Sequence, residues 1–221
     1  MKKIFLVLTL LFFLTVSFAQ EASPAMKKSF LKGKSWRMVT DVNTCLWLNN
    51  PDSIKSKITR SRGADVYLMD DFGFGNSRFG FSLGIGISCY DVNSNAAITK
   101  SGDTTVFNIQ TAKYKQNKIA VNYAEIPLEL YYTSKTKIPM RLALGFKAGY
   151  LISSHTKYKD SNLKAKIFDI PNLAKYRYGV DFHLMYGWFG LTGFYSLTTL
   201  FNSNLGPGMT PFSAGISIAP Y

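Results

Sequence analysis

The stretch KIAVNYAEIPLELYYTSKTKIPMRLALGFKAGYLISS, residues 118–153, decides how this chain is read. It divides into two runs, 122–132 and 140–152, around a turn at 133–139. In the first run Ala124, Ile126, Leu128, Leu130 and Tyr132 alternate with positions that include Glu125 and Glu129. In the second, Leu142, Leu144, Phe146, Ala148, Tyr150 and Ile152 alternate with Arg141, Ala143, Gly145, Lys147 and Gly149. A period of two describes β-strands with one apolar face and one charged or small face. A hairpin midpoint near Thr136 puts Glu125 opposite Lys147 and Glu129 one diagonal from Arg141. Opposite charges in such places stabilise a strand pair and neutralise groups that are costly to bury alone. Alternation does not name the solvent: the hairpin suits a soluble β-protein with wet ion pairs, or a narrow barrel with lipid outside and charge inside.

The flanking sequence favours the barrel. Six further runs alternate in the same way: 36–48, 64–72, 77–90, 175–186, 189–200 and 212–221. In the strands at 36–48, 77–90, 122–132, 140–152 and 175–186 every charged residue falls on one face, with Arg177, Asp181 and His183 together on the sixth strand. Asp70, beside a turn, is the exception, placed to reach the headgroup level. Lysine or arginine on a lipid face near the midplane costs about 2–4 kcal/mol, which explains such parity. Gly75-Asn76 and Gly187-Trp188 read as two-residue turns, across which the apolar face must change parity. It does so from Val66 and Leu68 to Phe79 and Phe81. At the second turn the rule sends Phe189, Leu191, Tyr195 and Leu197 outward, and Thr192, Phe194, Ser196 and Thr198 inward. Short links near Gly75, Thr136 and Gly187 alternate with long ones at 49–63, 91–117, 154–174 and 202–211. The second long link carries a hairpin pattern, 96–99 and 105–109. The sum is an all-β, eight-stranded, antiparallel up-and-down transmembrane β-barrel over 36–221, whose lumen side chains fill. Aromatic residues, 15% of the chain, gather near strand ends as interfacial girdles do: Trp36, Trp47, Phe72, Tyr131, Tyr132, Trp188 and Phe189.

Residues 1–19 carry Lys2 and Lys3, an apolar run from Ile4 to Val16, and Ser17-Phe18-Ala19. This is the pattern of a cleaved secretory signal peptide, so the mature chain is expected to begin at Gln20. Residues 20–35 read as a basic N-terminal arm. The signal ending in Phe-Ala-Gln, SRFGFSLGIGIS at 77–88, EIPLEL at 125–130 and GFKAGY at 145–150 together resemble the PorT-like outer-membrane β-barrel family. The resemblance covers most of the mature chain and implies insertion into the outer membrane of a Gram-negative cell by the barrel assembly machinery. Its motifs are strand patterns, which speak for a fold rather than an activity. At the chain's end Tyr221 is aromatic but out of phase with Ile216 and Ile218, and Pro220 intervenes.

For activity, the sequence supplies three candidates. Net charge is +13, or +11 without Lys2 and Lys3. Lys55, Lys57, Arg60 and Arg62 crowd the first long link, Lys100, Lys113 and Lys115 the second, and Lys157, Lys159, Lys164 and Lys166 the third. Export argues against nucleic acid, which leaves outer-membrane lipid, the phosphates of lipopolysaccharide, or a protein partner. A non-enzymatic barrel presenting these loops is the first expectation. The second is a lipid A acyl hydrolase or transferase built on His155 with Ser153 or Ser154 as nucleophile and Asp160 or Asp91 as acid. The third is a narrow pore, which Glu125, Glu129, Arg141, Lys147, Arg177 and Asp181 would plug. Cys45 and Cys89 fall on strands separated by another, about 9–10 Å apart, and are expected to be free thiols. No Cys or His cluster has metal-ligand spacing, and no cofactor is expected.

Overall fold

The computed structural model describes residues 31–111, 114–160 and 164–220, with side chains from 36 onward. The expected signal peptide, most of the expected basic arm, Lys113 and Tyr221 lie outside the described residues. Among those described, eleven strands form: β1 (Leu31–Leu48), β2 (Arg62–Phe74), β3 (Phe79–Asn93), β4 (Ala96–Ser101), β5 (Thr104–Ile109), β6 (Gln116–Thr133), β7 (Met140–Lys159), β8 (Lys164–Phe168), β9 (Tyr176–Tyr186), β10 (Phe189–Ser196) and β11 (Thr210–Ile218). Eight of them close an antiparallel barrel in the order β1–β2–β3–β6–β7–β9–β10–β11, with β11 returning to β1. Closure leaves no barrel edge with unpaired backbone groups, the condition for strands to cross lipid. β4 and β5 form a separate hairpin, and β8 adds to β7 beyond the barrel rim.

The solvent question is settled by which face is covered. Leu130 and Leu144 are 65% and 64% exposed on the barrel's outer wall, whereas Glu125 and Glu129 are each 3% exposed inside. Phe79, Ile85, Ile126, Leu128, Phe189 and Ile216 continue the outer apolar surface. A continuous apolar wall of this size is not a surface that water tolerates. Parity across the turn at Gly187 falls as the alternation requires: Phe189, Leu191, Tyr195 and Leu197 are exposed, and Thr192, Phe194 and Ser196 are buried.

Several details differ from expectation. Glu125 lies opposite Gly149, and Lys147 opposite Pro127, so the β6–β7 register is two residues away from a midpoint at Thr136. The first short link is the four residues 75–78 rather than two, since Gly73 pairs with Gly80, and Gly75 takes φ +57°. Both shifts are even, so no side chain changes face. β1 begins at Leu31, opposite Phe74, which takes the last residues of the expected arm into the barrel. The third long link is largely strand: β7 runs on to Lys159 and β8 pairs with it. Its polar alternation on both faces hides it from a hydrophobic reading. Trp47 and Tyr131 leave the proposed girdle. Trp47 points inward and packs edge-on against Phe107, and the Tyr131 ring lies 3.7 Å from the Arg141 guanidinium. Asp70 is buried, flanked across the sheet by Trp36 and Leu83.

Candidate functional site

Inward alternation on five of the eight barrel strands concentrates charged groups in the lumen. Glu125, Glu129, Arg141, Lys147, Arg177, Asp181 and His183 are all buried there. Arg37, Asp41, Asp65 and Asp71 join them from β1 and β2. Their strands alternate as clearly in sequence, but their partners lie 11 to 151 residues away, which no local pattern reveals.

The charges sort into three groups. Near the short-turn end, Arg141 holds Asp71 through both oxygens at 2.9 and 3.0 Å and donates to Ser82 at 2.6 Å; Arg37 reaches the same carboxylate at 3.3 Å. Mid-barrel, Glu125 accepts from Arg177 and Ser88 and, at 2.6 Å, from Tyr67. Lys147 donates to the Tyr67 hydroxyl at 3.0 Å and stands 3.9 Å from Glu125. Rings of Tyr90, Tyr123 and Phe194 surround the Arg177 guanidinium at 4.0–4.8 Å, where cation and π-face attract. The third group joins Asp41, His183, Glu129, Asp181 and Thr192. Arg141 therefore pairs with Asp71, not with Glu129 as the sequence suggested.

Above this layer the lumen turns apolar. Trp47, Tyr90, Tyr123, Leu173, Leu200, Phe201 and Met209 form one cluster with Phe107 of the β4–β5 hairpin against it. The gap among Cys45, Tyr90, Tyr123, Arg177 and Phe194 is about 20 Å³, room for a single water.

Outside, the extended β6, β7 and β8 ribbons make a basic face. Lys118 lies opposite Lys157, and Lys157 opposite Lys166; one step on, Lys159 lies opposite Lys164. Directly paired residues share a face of the sheet, so five lysines stand together. A register shift between Asn122 and Tyr123 reorients β7 so that Ser154 points into the barrel and His155 sits on the lysine face beside Phe168, 5.9 Å ring to ring. Like charges oppose one another here at a cost. Lys157 is held below the usual lysine range, first by partial burial and then by Lys118, Lys164 and Lys159. His155 is likewise lowered by burial and then by Lys166 and Lys118. The row continues through Asp91, which binds Lys118 and lies opposite Arg62. Lys57 covers the Tyr114 ring at 4.4 Å, Arg60 reaches the Lys115 carbonyl at 3.4 Å, and Lys55 is exposed.

The serine and histidine candidates are not assembled. The Ser154 hydroxyl accepts from the Ile170 backbone at 3.0 Å on the inner face, opposite to His155. Ser153 accepts from Asn122 at 2.8 Å, and Asp91 is engaged by Lys118. Cys45 and Cys89 are free thiols, one buried and one exposed.

Among solved structures, Neisserial surface protein A is similar at TM-score 0.37 and 11% identity, over 85% of this chain and 99% of that one; the fold assignment rests on the pairings above. A comparison with curated proteins found no match. A family model, outer membrane protein beta-barrel domain, matches residues 39–206. That match covers about three quarters of the chain and takes in seven of the eight barrel strands, ending before β11, and the chain belongs to the outer membrane protein beta-barrel domain family.

Proposed function

We propose that this barrel works without catalysis, as a rigid outer-membrane wall whose β6–β7–β8 ribbon binds the phosphates of lipopolysaccharide. One observation carries the reading: Lys118, Lys157, Lys159, Lys164 and Lys166 share one sheet face directly beyond the lipid-facing Tyr150 and Ile152, with Phe168 beside them. Acyl chains would lie along the apolar wall while the sugar phosphates meet ammonium groups that otherwise repel one another. Clustered lysines attract anionic headgroups by about 1 kcal/mol each. The reading sets the long loops outside the cell and both termini in the periplasm, with insertion by the barrel assembly machinery after removal of residues 1–19. The resemblance to PorT-like barrels agrees with that arrangement. The splayed Ser153, Ser154 and His155 and the filled lumen speak against the enzyme and pore readings.

The test is binding of purified lipopolysaccharide to the refolded chain in zwitterionic detergent, with Lys157→Gln/Lys166→Gln alongside wild type. Two lost lysines should weaken binding about 30-fold, and dephosphorylated lipopolysaccharide should bind wild type no better than the variant. Equal affinity of wild type for both glycolipids would overturn the reading and leave a protein partner as the alternative occupant.

A further inference from the structure

We infer that the lumen holds a divalent transition-metal ion between His183, Glu129 and Asp181. His183 Nδ1 stands 3.0 Å from Glu129 Oε1 and 3.7 Å from Asp181 Oδ2. One ligand atom from each falls within 4.8 Å of the other two, and all three residues are buried. Ligands about 2.0–2.2 Å from a tetrahedral zinc lie about 3.3–3.5 Å apart, the range these contacts bracket.

The hydrogen bonding points independently to an occupant. His183 Nε2 faces Asp41 Oδ2 at 3.1 Å and Thr192 Oγ1 at 3.1 Å, so a proton on Nε2 has its acceptor. That leaves Nδ1 turned toward two carboxylates. Despite the 3.0 Å approach of Glu129, Nδ1 makes no hydrogen bond, so the contact is not that of an aligned N–H donor. Asp181 is 2% exposed, and neither of its oxygens has a hydrogen-bond partner. A buried carboxylate without partners costs several kcal/mol, and each such group calls for an explanation. A cation among the three atoms answers for all of them. It also offsets the excess of acids among the described lumen side chains, six carboxylates against the permanent cations Arg37, Arg141, Lys147 and Arg177. Arg37, 3.9 Å from Glu129 Oε2, faces the other oxygen of that carboxylate and leaves Oε1 to the site.

The donor set selects the ion. One imidazole nitrogen with carboxylate oxygens suits zinc, iron or manganese, whereas magnesium and calcium prefer oxygen alone. Asp41 takes the outer-shell part that metal-bound histidines ordinarily require, an acceptor on the far ring nitrogen that sets the tautomer.

The test uses the full mature chain refolded into detergent micelles with Zn(II) or Co(II), then passed through a desalting column. Native mass spectrometry should find one zinc per barrel, and the cobalt form should show visible ligand-field absorption. Asp181→Asn and Glu129→Gln, each checked for a folded barrel by heat-modifiable gel mobility, should lower affinity for Zn(II) at least 10-fold. Lys135→Gln, which removes an exposed charge in the short link between β6 and β7, should leave it unchanged. Wild type that retains no zinc, or folded variants that bind it as wild type does, would overturn the inference and assign the space to a trapped proton.

Discussion

Placing arginine at Leu144 tests the assignment on which the membrane reading rests. From Met140 to Tyr150 β7 takes ten steps of about 3.3 Å, and a tilt of about 45° turns these into about 23 Å along the membrane normal. That matches an apolar band of about 25 Å, and it puts Leu144 within about 3 Å of the midplane. Leu144 is 64% exposed on the outer wall, flanked across the sheet by Leu130 and Phe182. Leu144→Arg should therefore cost about 2–4 kcal/mol, a 30- to 700-fold change in the folding equilibrium. Ile138 is also exposed but lies before β7, near the interface, so Ile138→Arg should cost about 0–1 kcal/mol. The assay is a reversible guanidinium titration in thin phosphatidylcholine vesicles, read by tryptophan fluorescence. In water both positions would be ordinary surface sites, and both changes would stay within about 0.5 kcal/mol of wild type. That result, or equal costs at the two depths, would refute the assignment of this face to lipid.

Other expectations follow from the lumen and the rim. Lys147→Met removes a buried cation that donates to Tyr67 and faces Glu125, so the same titration should show a loss of about 3–5 kcal/mol. Gly86→Ala would set a Cβ 2.3 Å from the Val66 carbonyl oxygen and from the Tyr67 ring, costing about 1–3 kcal/mol, whereas at Gly193 the nearest atom is 3.9 Å away and Ala should be neutral or mildly stabilising; thermal midpoints on heat-modifiability gels compare the two. His155 should titrate below the ordinary histidine value because partial burial and then the lysines disfavour its charge. An anion on that face raises its pKa, so lipopolysaccharide binding should take up a proton and tighten as pH falls through the interval between the two values. With two histidines in the chain, imidazole NMR resolves the effect, and an unmoved His155 resonance on lipid addition would count against the ribbon as the binding site.

Side-chain period and turn chemistry were enough to place every barrel strand and to decide which face of each is greasy. Arg141, Lys147 and Arg177 are inside because their neighbours in sequence are Leu, Ala, Phe and Tyr at the alternate positions. Period two defines register only up to an even shift, however. The two hairpins at Gly75 and Thr136 therefore slid by two residues without moving any residue to the wrong face, yet Arg141 exchanged one acid partner for another. The cation site was hidden for a related reason. Glu129, Asp181 and His183 come from β6 and β9, which do not touch in the barrel wall, and only closure through β7 turns their side chains toward one point. The lysine face needed the shift between Asn122 and Tyr123 and the edge pairing of β8, both set by contacts across the sheet rather than along the chain. A sequence can state which way a strand's side chains alternate, because that is a property of one backbone. Which groups they then meet depends on the stagger and curvature of all eight strands together, and those exist only once the barrel has closed.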